Sequence, residues 1–465
     1  MENNTQLKEM IRSMVIDILQ GQKQEMASSQ PIKQAPRGQV EPGVFDTVDE
    51  AIQAAKAAQA RFEDCTLATR EKVIADIRAA MRPRVQELAQ KTVDETGMGR
   101  VADKVLKLNL TLNKTPGVED LVTECETGDN GMTLYELSAY GVIGAITPST
   151  NPAETLICNS IGMLAAGNAI FFSVHPGAKN LSRELVSELN QVIAKSIGIE
   201  NLIVTLREPS IESAQEMMLH PDVSLLVVTG GPGVVKQALQ SGKKVIGAGA
   251  GNPPAFVDET ADIKKAAQDI VLGASLDNNI LCIAEKSVVA MRQIEPQLVQ
   301  EMVKAGCILV ENQQDIQRLV DLTVLPNGTP NKKFVGKNAS VILDAAHIPY
   351  NGDPRLIIMR APKNHPFAVI EMLMPILPVV TVDSFDEGLD VCLMLEAGLH
   401  HTATMHSLNM ERLNRMARKM KTSIFVKNGP SYAGLGFSGE GTTTFTIATP
   451  TGESTTSARC FARRR

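Results

Sequence analysis

An α/β fold built from two doubly wound, parallel-sheet domains is predicted for this 465-residue chain by three observations. Short apolar runs of strand length alternate with amphipathic helical stretches from residue 141 onward, which is the pattern of repeated βαβ units. The alternation comes in two series that meet near residue 246. The length allows two or three domains with large cores, and a hydrophobic fraction of 43% fits a globular chain that can fill them.

Taken in order, Leu7, Ile11, Met14, Val15, Ile18 and Leu19 recur at steps of three and four. That spacing predicts an amphipathic helix over 1–20, with Lys8, Glu9, Arg12 and Asp17 on its polar face. Residues 21–43 are rich in Gln, Ser, Pro and charge and have little to bury, so they read as a flexible linker. The folded body is expected to begin at Val44. Residues 48–97 are Ala-, Glu- and Arg-rich and helical. Strands are expected at 142–146, 169–173, 202–205 and 225–228, separated by helices near 153–166, 180–195 and 211–219. The second series has a helix from Ile263, a strand at 287–290, a helix from Pro296, a strand at 308–310, and further strands at 377–382 and 423–426. No repeat of fixed period is present.

Composition excludes several classes of function. A net charge of −6, 3% aromatic residues and no Trp leave little for a phosphate-tracking, base-stacking surface, so nucleic acid is not an expected partner. The core must be aliphatic and Met-rich. Seven cysteines, odd in number and scattered without a C-x-x-C pair, argue against a disulfide framework or a zinc site and for a reduced, cytoplasmic setting; no metal is expected. No apolar run approaches a membrane span, and the charged N-terminus lacks the apolar segment of a signal peptide.

Cys282 leaves a polar loop just before a strand, where a thiol can reach a cleft. Free cysteine is more often a small buried hydrophobe, and Cys158, Cys307 and Cys392 sit in apolar stretches that fit that reading. Cys65, Cys125 and Cys460 lack a glycine-rich or amide-bearing neighbourhood. Asn151, followed by Pro152 and Glu154, reads as a helix start with an Asn cap and a reciprocal Glu. An amide fixed there can also serve as a preorganised donor. Thr229, Gly230 and Gly231 follow a strand and open a helix, either as a pyrophosphate cradle or as a plain tight turn, since no G-x-G-x-x-G is present.

The Cys282 loop, the 147–152 segment and the glycine-rich 247–254 turn together resemble the aldehyde dehydrogenase superfamily. From about Gly43 to the C-terminus the chain is similar to the CoA-acylating aldehyde dehydrogenases of bacterial microcompartments, the propanediol- and ethanolamine-utilisation type. The resemblance implies Cys282 as nucleophile and Asn151 as oxyanion donor. It places Thr150, Thr229, Gly230, Gly231 and Gly249 at the cofactor and Glu371 at the nicotinamide ribose, although a lone Glu can simply be solvated. His175 and Pro176 stand where hydrolytic relatives carry a Lys-Pro that holds the adenosine ribose. His400 and His401 are candidates for proton transfer from a thiol, or a packed structural pair.

The main departure is Ala248, which falls where hydrolytic relatives carry a general-base Glu. Water, with a pKa of about 15.7, needs a base to attack a thioester, whereas a thiol of pKa about 8.5 is already partly thiolate at neutral pH. Losing the base therefore hinders hydrolysis far more than attack by CoA.

The resemblance thus implies oxidation of a short aldehyde, propionaldehyde or acetaldehyde, to its acyl-CoA with NAD and coenzyme A. It implies an NAD/CoA-binding domain at 44–245, a catalytic domain at 246–430, and a C-terminal return at 431–465. A β-hairpin within 132–140 would support a homodimer or homotetramer. The N-terminal helix resembles encapsulation peptides, with a microcompartment shell protein as partner and the compartment lumen as location; docking on its own subunit is the other reading. The alternatives are a hydrolytic enzyme releasing free acid and a non-catalytic, shell-associated scaffold.

Overall fold

Two parallel sheets organise the chain, and the polypeptide crosses from one to the other only five residues after finishing the first. The computed structural model describes residues 41–465. The expected helix at 1–20 and nearly all of the linker at 21–43 lie outside the described residues.

The first sheet has six strands in the order Val44–Phe45, Ile203–Leu206, Ala169–Ser173, Val142–Ile146, Val223–Thr229 and Lys244–Ala248, all parallel. The apolar runs in these strands are nearly continuous because helices cover both faces, and only Ser224 and Lys244 within them are exposed. Ala169–Ser173 is buried at all five positions. The helices begin where the sequence provides caps: Thr47 accepts from the Glu50 N–H ahead of Val48–Glu63, and Thr66 from the Thr69 N–H ahead of Leu67–Met81. Val85–Thr96 ends on Gly97 at φ +66°, the left-handed stop that favours glycine.

After the edge strand Val44–Phe45, the chain enters this sheet centrally at Val142–Ile146, moves outward through Ala169–Ser173 and Ile203–Leu206, then returns to the other side with Val223–Thr229. Strand order therefore reverses at the Val142–Ile146 / Val223–Thr229 pair, which opens a crevice at their carboxyl ends.

The second sheet has seven parallel strands in the order Cys307–Leu309, Leu356–Arg360, Ile376–Val382, Ser287–Met291, Pro254–Val257, Thr402–His406 and Ile424–Lys427. Its own buried cluster, with Phe256, Ile270, Val289, Leu298, Leu377 and Met405, is aliphatic and Met-rich.

A separate antiparallel hairpin joins Glu124–Gly128 to Gly131–Tyr135. It lies earlier than the 132–140 expected from the sequence: Leu137–Ala139 is not its second arm but pairs with Ala462–Arg464 at the C-terminus. The boundary was misplaced because every residue of the hairpin except Tyr135 is exposed, so no buried face leaves a period-two signal.

Candidate active site

The site residues converge because opposite edges of the two sheets supply them. From the first sheet they come at carboxyl ends: Thr147–Asn151 after Val142–Ile146, His175 after Ala169–Ser173, Thr229–Gly231 after Val223–Thr229, and Gly249 after Lys244–Ala248. Strand register places these ends side by side, with Ile146 opposite both Ser173 and Val228, and Thr229 opposite Ala248. From the second sheet they come at amino ends of four consecutive strands: Glu371 before Ile376–Val382, Cys282 before Ser287–Met291, Gly251 before Pro254–Val257, and His401 before Thr402–His406. The short crossing at 249–253 joins the two edges.

Gly251 is the hinge of this arrangement. Its N–H donates to Glu371 Oε1 at 3.2 Å, and a Cβ built on it would lie 2.7 Å from the Cys282 carbonyl oxygen and 2.7 Å from His401 Cγ. Only glycine lets the crossing, the Cys282 loop and the histidine meet. Asn252 pins the next step, with its side-chain amide donating to Ala368 O at 2.9 Å and Leu395 O at 2.7 Å.

Cys282 is partly exposed, whereas Cys158, Cys307 and Cys392 are buried, which matches the sorting made from sequence context. Burial of the sulfur pushes its pKa up to about 12, with the Glu371 carboxylate adding to the shift and Lys286 opposing it. Lys286 is fully enclosed and donates to Asn279 O at 2.7 Å, Asn279 Oδ1 at 2.6 Å and Leu281 O at 2.9 Å, so it clamps the loop that delivers the thiol. Burial pulls its pKa down to about 8. Glu371 is raised above the usual carboxylate range by burial, against Lys286 and the Gly251 N–H. Glu285 accepts from Ser431 N and Oγ, both at 2.8 Å, and is pushed up to about 7 by burial.

Asn151 does precede a helix, Pro152–Ala165, but it does not cap it. The capping pair expected with Glu154 is absent: the Asn151 amide oxygen faces Lys107 Nζ at 2.5 Å, and Glu154 is ion-paired to the same Lys107 at 2.9 Å. A buried ammonium outcompetes a backbone N–H for both acceptors, because leaving a charge unpaired in the interior costs more than leaving a helix amide uncapped. The Asn151 side chain is thereby free of a capping duty.

The histidines divide. His400 is exposed, at a left-handed turn position with φ 54°. His401 is buried against Gly251, with Nδ1 2.9 Å from Thr402 Oγ1 and Nε2 without a partner among the described residues. Burial pulls its pKa down to about 3, so the ring is neutral at physiological pH.

At the other end of the crevice, Gly231 precedes the helix Pro232–Leu239 with no side-chain cap, and at both Gly231 and Gly233 a Cβ would meet nothing within 4 Å. Uncapped N–H groups facing open space fit an anionic phosphate such as that of a dinucleotide or CoA. Thr229 Oγ1 bonds Thr446 at 2.8 Å, bringing the C-terminal segment beside that turn. His175 is exposed and accepts from the Gly177 N–H at 3.0 Å, so its imidazole caps a turn beside the crevice. Among the described residues no group of three or more His, Cys, Asp or Glu could hold a metal ion.

Sequence reasoning missed Lys104, Lys107, Asp277 and Lys286. The available signal was that Lys104, Lys107 and Thr111 share the helical spacing of Leu108 and Leu112, so two lysines occupy an apolar face.

Residues 18–446 match the profile of the Aldehyde dehydrogenase family. The propanal dehydrogenase (CoA-propanoylating) of Salmonella typhimurium is 51% identical over 464 residues, covering 100% of this chain and 97% of the relative. A crystal structure of Rhodopseudomonas palustris propionaldehyde dehydrogenase, with bound CoA and an acylated cysteine, superposes with a TM-score of 0.90 at 49% identity, covering 92% of this chain and 98% of that one. A propionaldehyde dehydrogenase from the Clostridium phytofermentans fucose utilisation bacterial microcompartment gives 0.90 at 47% identity, covering 91% and 98%. With the family profile matched over most of its length and a relative half identical across all of it, the chain belongs to the aldehyde dehydrogenase family.

Proposed function

We propose that the protein oxidises a short-chain aldehyde, propionaldehyde foremost, to its acyl-CoA with NAD and coenzyme A. The observation that carries this reading is the partly exposed Cys282 on a loop packed against the crossing that follows Ala248, so that an alanine and not a carboxylate ends the strand leading into the site. Glu371, the carboxylate that bears on the thiol, is engaged with the Gly251 N–H, and Glu285, on the same loop as Cys282, is engaged with Ser431. Curated relatives of the CoA-propanoylating type and the acylated cysteine of the R. palustris enzyme support it.

In this mechanism the Cys282 sulfur attacks the aldehyde carbon, and the carbonyl oxygen becomes an oxyanion that the Asn151 amide N–H and the Cys282 backbone N–H are assigned to hold. The thiol proton leaves to solvent before attack; the neutral His401 ring, its Nε2 without a partner among the described residues, can hydrogen-bond a thiol in the site but is too weak a base to hold its proton. Bound NAD supplies the acceptor for the hydride that leaves the same carbon, and Thr150, His175, Pro176, Thr229, Gly230, Gly231, Gly249 and Glu371 are the residues assigned to hold it. The thioester left on Cys282 is then cleaved by the CoA thiol, which restores the free cysteine and forms acyl-CoA. NADH formation with two- to four-carbon aldehydes, with and without CoA, tests the reading. Sustained turnover only with CoA is expected, and free acid released at full rate without it would refute it.

We further propose that residues 1–20 direct the enzyme into a microcompartment through a shell protein, a reading supported by the microcompartment origin of the C. phytofermentans relative. Removal of these residues should leave kcat unchanged and end co-purification with shells; a truncated enzyme still found in shells would refute it. The hairpin at 124–135, with Met132 64% and Leu134 51% exposed, is the proposed contact of a homodimer or homotetramer.

A further inference from the structure

We propose that Lys107 is a positioning residue that sets which face of the Asn151 amide meets the oxyanion, and that through Asp277 it ties that amide to the loop carrying Cys282. The proposal rests on the assignment of Asn151 as oxyanion donor. Lys107 lies on Val101–Lys114 and is fully buried. Its ammonium donates to Asn151 Oδ1 at 2.5 Å and is ion-paired with Asp277 Oδ2 at 2.5 Å and Glu154 Oε1 at 2.9 Å. Two buried carboxylates hold it protonated, outweighing the effect of burial.

A protonated lysine is a donor only. The Asn151 atom it touches must therefore be the amide oxygen, and the NH2 group must point the other way. One N–H reaches Thr150 Oγ1 at 3.2 Å, leaving the second for a ligand. A cation on the oxygen also draws electron density from the amide nitrogen, which makes the outward N–H a stronger donor to developing negative charge.

The second half of the device is Asp277, five positions before the nucleophile. Its carboxylate also accepts from Lys104 Nζ at 2.9 Å and from the Arg100 N–H at 2.8 Å, and its own N–H donates to Asp103 Oδ2 at 2.9 Å. Lys104 in turn donates to Thr150 O at 3.2 Å. Gly99, at φ +82°, admits this approach, since a Cβ there would lie 2.0 Å from Asp277 Oδ1. Amide and thiol come from different sheets, and this buried quartet of Lys104, Lys107, Glu154 and Asp277, neutral overall, joins the amide to the loop that carries the thiol.

The test removes one charge of each sign. The pair Lys107→Met with Glu154→Gln leaves Lys104 and Asp277 matched, which limits unfolding. It is expected to lower kcat for propanal by about 10- to 100-fold, because the donor is no longer aimed. KM is expected to stay within about threefold. Alkylation of Cys282 by iodoacetamide forms no oxyanion, so its rate should stay within about twofold if only the amide is misdirected. On an Asn151→Ala background the same pair should lower kcat by less than about threefold further, since both act through one donor.

A folded pair variant with kcat near wild type, losses that multiply with Asn151→Ala, or alkylation that falls in step with kcat would each overturn the proposal. If the Met pair does not fold, Lys107→Gln with Glu154→Gln is measured in the same assays and judged by the same outcomes. Asn151→Ala alone separates the two levels: if it leaves kcat intact, the oxyanion assignment fails with this proposal, and if it alone is impaired, only the role of Lys107 fails.

Discussion

Adding a single methyl group at Gly251 is expected to slow the chemistry while leaving the fold in place. The new Cβ would sit 2.7 Å from the Cys282 carbonyl oxygen and 2.7 Å from His401 Cγ, where ordinary contact begins at 3.4 Å. One or both neighbours must therefore retreat by about 0.7 Å, the difference between those distances. The Cys282 carbonyl is backbone and cannot swing aside, so the shift passes to the sulfur-bearing residue. Gly251 is not among the positive-φ glycines, which makes the effect steric and not conformational. Overpacking of this size costs about 1 to 3 kcal/mol of stability, and a displacement near 1 Å in a reacting group costs about 10²-fold in rate. Gly251→Ala should thus lose about 30- to 100-fold in kcat, read as NADH formation with propanal and CoA, with unfolding still cooperative. Gly429→Ala is the control, because its Cβ would meet only the Val426 side chain, at 3.4 Å. A Gly251→Ala enzyme with wild-type kcat would refute the claim that this crossing sets the position of the nucleophile.

Four other outcomes follow from the same geometry. The thiol, pushed up to about 12, should be alkylated in the free enzyme at a rate that climbs about tenfold per pH unit between about pH 7 and 10. Glu371→Gln should raise the rate at pH 7 by about 3- to 10-fold, since the carboxylate is a cause of the shift, and no change would exclude it as a neighbour of the sulfur. His401, pulled from 6.5 down to about 3, stays neutral in the native state while the unfolded chain takes up a proton, so acidification below about pH 6.5 favours unfolding. The loss from this residue is about 2 kcal/mol at pH 5 and approaches about 5 kcal/mol near pH 3, so His401→Gln should flatten the pH dependence of the urea midpoint. Ala248→Glu should raise CoA-independent release of acid by about 10²-fold over the parent, measured as propanoate formed without CoA.

How far the sequence reveals this molecule depends on how its signals coincide with burial. The strands at 142–146 and 169–173 and the helix at 211–219 were legible to the residue because uninterrupted apolar runs and a serine cap mark them. The strands Lys244–Ala248, Pro254–Val257, Leu356–Arg360 and Thr402–His406 were not anticipated. Glycines and prolines punctuate the first two, and Thr402, Thr404 and His406 make the last look polar although all three are buried. Cys282 stood out through its loop, but Glu371 has no signature beyond resemblance, because its role depends on a backbone N–H supplied 120 residues away. The capping role read for Asn151 failed because a lysine on another helix claims its oxygen, a long-range competition that local spacing cannot register.

The placement of sulfur and amide on facing edges of separate sheets makes their separation a property of how the two layers dock. On the proposed mechanism neither layer carries a working centre alone, and the five-residue bridge at 249–253 is the spacer between them. Any molecule wedged along that seam would retune turnover without touching either reacting group, and lengthening the bridge by one residue would detune it permanently.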